Sequence, residues 1–240
     1  MSKQDPFDFS NALPIINEDT EFFPLMSQQD EDEMNNEETP EVLPILPLRN
    51  TVLFPGVVIP ITVGRDKSIK LIKEAYKGDR IIGVVSQRDV SIEDPTFEQL
   101  NSVGTVAQII KMLQMPDGNT TVIIQGKQRF RLLEEVQSEP YIKVTISKFA
   151  ETKHKADKEF KALVASIKEM STQIIQLSPN IPSEAGIALK NIESTSFLIN
   201  FISSNMNADV ADKQKMLEMT NLRERAMMVM ELLTLELQML

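Results

Sequence analysis

A chain of 240 residues with no cysteine and one histidine has no thiols for a disulfide framework, a thiolate metal site or a cysteine nucleophile. Its net charge of −10 is concentrated in residues 1–41, which hold 12 of the 35 acidic side chains and only Lys3 as a base. The rest of the chain, with 23 acidic and 24 basic residues, is close to neutral and offers no concentrated basic face for nucleic acid.

The acidic tail includes Asp30-Glu31-Asp32-Glu33 and Glu37-Glu38, with Phe7, Phe9, Phe22 and Phe23 in no regular period, and is expected to be disordered. The phenylalanines leave room for a short docking motif. No apolar run suited to a signal peptide opens the chain, and no arginine precedes Arg49. The most membrane-like stretch, residues 226–240, is too short to span a bilayer and contains Glu231 and Glu236. A soluble, cytoplasmic chain is expected.

Residues 42–149 read as strands with one helix. Strands are expected at 42–48 and 57–63, separated by a turn at Pro55-Gly56, because Pro47, Pro55 and Pro60 lack amide donors and fix φ. Asp66 suits the N-cap of a helix that buries Ile69, Ile72 and Tyr76, exposes Lys70, Lys73 and Lys77, and stops at Gly78. A buried strand follows at 81–86, then a polar loop through Asp94-Pro95. Residues 103–113 and 121–125 form a hairpin about Met115-Pro116-Asp117-Gly118, and further strands are expected at 128–136 and 141–149. Gly56, Gly64, Gly104 and Gly118 fall at expected reversals or strand starts, where positive φ suits glycine. Short strands mostly adjacent in sequence, with one crossing helix, indicate a small curled sheet or open barrel.

Beyond Ala150 the period becomes helical. One helix is expected at 153–177, a second at 183–203 with Ile187, Ile192, Phe197 and Phe201 available for packing, and a third region from 208 onward. His154, in Lys153-His154-Lys155, is expected to be solvated. Eleven of the last fifteen residues are apolar, more than one buried stripe needs. The domain reading is an acidic tail at 1–41, a β-rich domain at 42–150 and a helical bundle at 151–240, in an α+β chain.

Catalytic signatures are missing from the sequence. Gly126-Lys127-Gln128 lacks the spacing and the hydroxyl of a P-loop, and neither a Gly-x-Ser-x-Gly elbow nor a His-Glu-x-x-His pair occurs. A Ser/Lys dyad is not excluded by inventory, although nothing marks one serine as activated. No catalytic, cofactor or metal site is expected in these residues.

Several pieces, in order, carry a family resemblance. They are the apolar run from Leu46 to Gly56, Val63-Gly64-Arg65 with Lys67-Ser68, the stretch from Val103 to Ile109, Pro116-Asp117-Gly118, and Gly126 with Arg129. A further piece is Ala211-Asp212-Lys213-Gln214, with Leu217-Glu218 and Arg223-Glu224-Arg225. Together, residues 43–240 resemble the N-terminal region of Lon, the ATP-dependent protease. The resemblance implies a PUA-like fold before Ala150 and a helical bundle after it, leading toward an AAA+ ATPase and a Ser/Lys protease domain. Those domains have no residues here, so ATP and Mg would belong to the parent. The chain is expected to be a fragment, because Leu240 falls inside an apolar helical pattern.

The function implied is recognition of unfolded or damaged proteins for a Lon hexamer, with other Lon subunits as further partners. An alternative is a stand-alone, Lon-N-like interaction protein. RNA binding, known for PUA-like folds, is disfavoured by the neutral body, two tyrosines and absent tryptophan. Candidate contact residues are Leu53, Phe54 and Pro55 in the first turn, with Met112, Met115 and Pro116 at the hairpin. Leu53, Phe54 and Met112 equally suit a core, and the sequence leaves both readings open. Arg49 and Arg65 suit loop-carbonyl partners better than a functional role.

Overall fold

The computed structural model describes residues 26–116, 119–152, 156–178 and 183–240. Phe7, Phe9, Phe22, Phe23, Asp117, Gly118 and His154 lie outside the described residues. Two units divide the chain: Glu33–Ala150, and the residues up to Asp32 with Glu151–Leu240. The first is a sheet unit and the second a helical one. Among the described residues no helix is long and apolar enough to cross a membrane.

The sheet unit contains β1 (Val42–Leu48), β2 (Val58–Val63), α2 (Asp66–Lys77), β3 (Ile81–Ser86), β4 (Val103–Gln114), β5 (Thr120–Gln137) and β6 (Lys143–Lys148). Their order is β2-β5-β4-β3-β1-β6, with β6 pairing back onto β5. Five strands therefore close on themselves, and β2 is added at the outside. β1 and β3 are parallel, joined by a connection that includes α2, as parallel neighbours require. The core gathers Leu43, Ile45, Val85, Leu100, Val106, Phe130, Ile142 and Val144.

β5 differs from the two strands expected at 121–125 and 128–136. It runs unbroken for 18 residues, pairing with β2 through its first half and β6 through its second. Gly126 continues the ladder opposite Ala107 instead of ending it. Its lack of a side chain serves a close approach, since a Cβ there would lie 2.2 Å from the Phe54 carbonyl oxygen. Gly104 is likewise a packing glycine, its would-be Cβ 2.5 Å from the Val84 carbonyl oxygen, whereas Gly56 does take positive φ, at 79°.

α2 is rotated from the expected face. Arg65 occupies the N-cap without a side-chain cap bond, and Asp66 opens the helix, where its charge meets the positive dipole end. Ser68, Leu71 and Ile72 are buried, while Ile69 and Tyr76 are half-buried, because the stripe follows i, i+3, i+4 from Ser68. Lys70, Lys73 and Lys77 are exposed.

The expected disorder does not extend through residues 28–36, which form α1 (Gln28–Asn36). Ser27 and Asp30 exchange hydrogen bonds at its start: the Asp30 amide donates to Ser27 Oγ at 3.2 Å and the Ser27 amide to Asp30 Oδ2 at 3.0 Å. Within the helical unit, the Ser194 hydroxyl donates to the buried Glu31 carboxylate. Within the sheet unit, Gln128 Nε2 donates to the Met34 and Glu37 carbonyls, each at 2.8 Å, and Lys148 Nζ to the Asn35 carbonyl at 2.7 Å. Capping and anchored carbonyls order a segment whose composition alone favours solvent.

The helical unit comprises α3 (Lys158–Leu177), α4 (Ser183–Asn191), α5 (Thr195–Asn205), α6 (Val210–Glu218) and α7 (Leu222–Met239). Both long helical stretches expected after Pro182 are split by caps. Ser194 Oγ accepts from the Phe197 amide at 3.1 Å, and Asn221 Oδ1 from the Arg223 amide at 2.9 Å. Ile192, Phe197, Ile199, Leu222, Ala226, Val229 and Leu233 are buried, but Ile187 is 60% exposed and does not pack as expected.

Two charged groups are buried on α7. Arg225 has no exposed surface; its Nη1 donates to Asn200 Oδ1 at 2.6 Å and its Nη2 to Glu151 Oε2 at 2.7 Å. Glu236 is 3% exposed, and burial pushes its carboxyl up to about 7, with Lys213 pulling the other way.

Gly126→Ala is expected to destabilise the sheet unit by about 3 kcal/mol, read by denaturant unfolding, because the Phe54 carbonyl has to move. Glu236 releases its proton near pH 4.5 when unfolded and near 7 when folded, so stability is lost as pH rises between those values. Glu236→Gln is expected to flatten that slope and raise Tm by a few degrees at pH 8, measured by melting across pH 4–8.

Candidate functional site

Residues 49–57 are fastened onto the sheet between β1 and β2. Thr105 Oγ1 donates to the Leu53 carbonyl at 2.6 Å in a buried hydrogen bond. The Gly56 amide donates to the Gly126 carbonyl at 2.9 Å, and the Gly126 amide to the Val57 carbonyl at 2.8 Å. The Val57 amide closes the turn on the Phe54 carbonyl at 3.2 Å. These bonds hold the loop against the sheet with Leu53 and Phe54 on its buried side.

Leu53 is 2% exposed and Phe54 fully buried, which corrects their assignment as contact residues: in this arrangement neither presents a side chain to a partner. Pro55, between them and Gly56, is half-buried. Arg49 Nε donates to the Val90 carbonyl at 2.6 Å, and an Arg65 Nη donates to Gln87 Oε1 at 2.8 Å. Gln87 Nε2 in turn donates to the carbonyls of Asp89 and Ile92, so the two arginines help to position the 87–92 loop.

The hairpin tip is different. Met115 is 43% exposed and Pro116 exposed, with Met112 half-buried opposite the buried Val122. Ile110 and Leu113, which the sequence reading passed over, are 45% and 37% exposed. Leu113 pairs with Thr121 on the outward face, and Ile110 falls at a register shift between Ile109 and Lys111. A bulge has no reliable sequence signal, but the alternation Lys111, Leu113, Met115 already marked an outward row. The structure thus brings Met112, Met115 and Pro116 together with Ile110 and Leu113, and separates them from buried Leu53 and Phe54. The tip offers apolar area, adaptable thioethers and one cation, Lys111.

A concavity of the sheet unit, about 540 Å³, is lined by Val42, Pro44, Leu71, Ala75, Tyr141 and Lys143 among others. Tyr141 donates to Glu74 Oε2 at 2.5 Å across it. Burial and the Glu74 carboxylate push the phenol up to about 12, so it remains a donor at neutral pH. None of the six candidate residues lines this concavity. Among the described residues no group of three or more His, Asp or Glu side chains is placed to hold a metal ion.

Residues 42–234 match the family model described as the ATP-dependent protease La (LON) substrate-binding domain. The chain belongs to the Lon substrate-binding domain family. A Lon protease of Flavobacterium johnsoniae is 55% identical over 228 residues, covering 95% of this chain and 28% of that protein. A Lon protease of Cytophaga hutchinsonii is 51% identical over 93% of this chain and 28% of its own length. The chain therefore spans little more than a quarter of these Lon relatives. In fold it is similar to the N-terminal domain of a Mycobacterium avium complex Lon protease, with a TM-score of 0.61 and 21% identity over 80% of this chain and 98% of that one. It is also similar to a Lon N-terminal domain protein from Xanthomonas campestris, with a TM-score of 0.55 and 15% identity over 77% and 94% of the respective chains. The α+β architecture is that of Lon N-terminal domains.

The division between core and tip is testable by stability alone. Phe54→Ala is expected to cost about 3–5 kcal/mol in urea unfolding, through a buried cavity. Met115→Ser is expected to cost less than about 0.5 kcal/mol, as for an exposed position.

Proposed function

We propose that this chain is the substrate-recognition and assembly region of a Lon protease, capturing unfolded or damaged proteins through the apolar hairpin tip. The observation that carries this reading is the exposed group Ile110, Leu113, Met115 and Pro116 in a domain of the Lon substrate-binding family. Unfolded chains display apolar segments that folded ones bury, and a receptor for them needs exposed apolar side chains of adaptable shape. Methionine and leucine at a strand end meet that need without selecting one sequence.

In this reading the chain binds and does not hydrolyse, with capture independent of nucleotide. ATP and Mg act in the parent hexamer, whose other subunits are further partners of this region in the cytoplasm. Neither a nucleic acid nor a membrane is required.

The test is binding of the 240-residue chain to a permanently unfolded, reduced and carboxymethylated protein and to its native counterpart, at two salt concentrations without nucleotide. Selective, salt-tolerant binding of the unfolded form is expected, weakened about tenfold by the Leu113→Ser, Met115→Ser double variant with Tm unchanged. Equal affinity for both forms, or no binding to either, overturns the reading.

A further inference from the structure

The sheet unit treats its two free edges differently. Among the described residues β2 pairs only with β5, and its pairs alternate from Val57, whose carbonyl accepts from the Gly126 amide. Counting in twos, Ile59, Ile61 and Val63 turn their backbone groups to β5, while Val58, Pro60 and Thr62 turn theirs outward. The missing amide of Pro60 thus falls on the open side, where it interrupts any added strand.

The opposite edge has no such interruption. β3 pairs with β4 only as far as Gln108, and the Arg80 carbonyl accepts the Ile109 amide at 2.8 Å. Beyond Ile109 no described strand flanks β4 on that side. The Met115 amide donates to the Asn119 carbonyl at 2.8 Å, fixing the alternation at the far end of the hairpin. Leu113 and Lys111 therefore face β5 with their backbone groups, and Met112 and Gln114 present theirs to the open side.

Charge adds a second selection. β2, β4 and β5 as far as Gln128 contain no aspartate or glutamate, whereas Lys111 is exposed on β4 and Arg80 is exposed beside Ile109. An occupant of this edge gains from a carboxylate and loses from a lysine.

Resting on the proposed capture of unfolded chains, we propose that the open edge of β4 at Ile110–Gln114 takes an extended, apolar, acid-flanked client segment as an added strand. The Met112 and Gln114 backbone groups would supply main-chain hydrogen bonds, Leu113 and Ile110 apolar contact, and Lys111 a charge partner. Main-chain recognition suits a receptor for many sequences, because every extended segment except a proline-rich one carries the same backbone groups.

The probe is a fluorescein-labelled, eight-residue peptide of alternating valine and threonine with a glutamate at each end, titrated with the full 240-residue chain. Two further peptides carry backbone N-methyl groups on one or the other alternate set of residues. Gln114→Pro removes one outward amide from an exposed residue without removing a bond to β5, as Pro60 does on β2. Expected are about a tenfold loss of peptide affinity in Gln114→Pro with Tm unchanged, and a comparable loss for only one of the two methylated peptides. Equal binding of both methylated peptides with undiminished Gln114→Pro affinity overturns the edge proposal, and the capture reading stands if wild type still binds the unfolded protein. A Gln114→Pro effect on self-association in sedimentation, but not on peptide binding, assigns the edge to a second copy and also overturns it. Binding of neither peptide nor unfolded protein by wild type overturns both.

Discussion

The sheet unit depends on one close approach, the Phe54 carbonyl lying against the backbone of Gly126 where no Cβ fits. That approach, held by the Gly56, Val57 and Gly126 hydrogen bonds and by Thr105 on Leu53, turns a proline-punctuated loop into part of the core. It also keeps β5 continuous, so one strand serves β2 and β4 near the tip and β6 at the far end. Exposure at the hairpin follows. Beyond Ile109 β3 no longer accompanies β4, and Ile110, Leu113 and Met115 stand exposed there, as Leu133 and Val136 do in the second half of β5.

The helical unit is organised by a different device. Arg225 is buried between Asn200 and Glu151, linking α7 to α5 and to the segment that follows the sheet unit. Burial lowers the guanidinium below its ordinary range, with the Glu151 carboxylate opposing the shift. Such a group does little for net stability against a well-packed apolar one, yet it tolerates few other arrangements, and it fixes the rotation of α7. That rotation puts Ala226, Val229 and Leu233 inside and leaves Met227, Leu235 and Met239 outside.

Much of the fold was legible because its signals are local. Residues 42–48 and 81–86 were read as strands from β-branched and apolar runs, and the structure places β1 and β3 over the same residues. The change from strand to helical period after Ala150 indicates the α+β architecture that the solved Lon N-terminal domains share. What escaped was set at a distance. Gly126 looked like a strand end because its partner, Phe54, is remote in sequence; Ser194 and Asn221 looked like helix interior until their side chains capped the next helix. Leu53 and Phe54 looked like candidate contacts for the same reason, since only the hydrogen bonds from Thr105 and Gly56 show which way the loop turns. The exposure of Met115 and Pro116 was legible, because hairpin ends lie at the surface.

Pro60 has a consequence for what the protein does at high concentration. A sheet open at both edges is a template that copies itself, since each molecule added presents a fresh edge for the next. Here one edge is interrupted by a residue with no amide, so a strand added at β4 does not lead to continued growth through β2. The sheet thereby keeps one edge open to pairing while the other resists further growth.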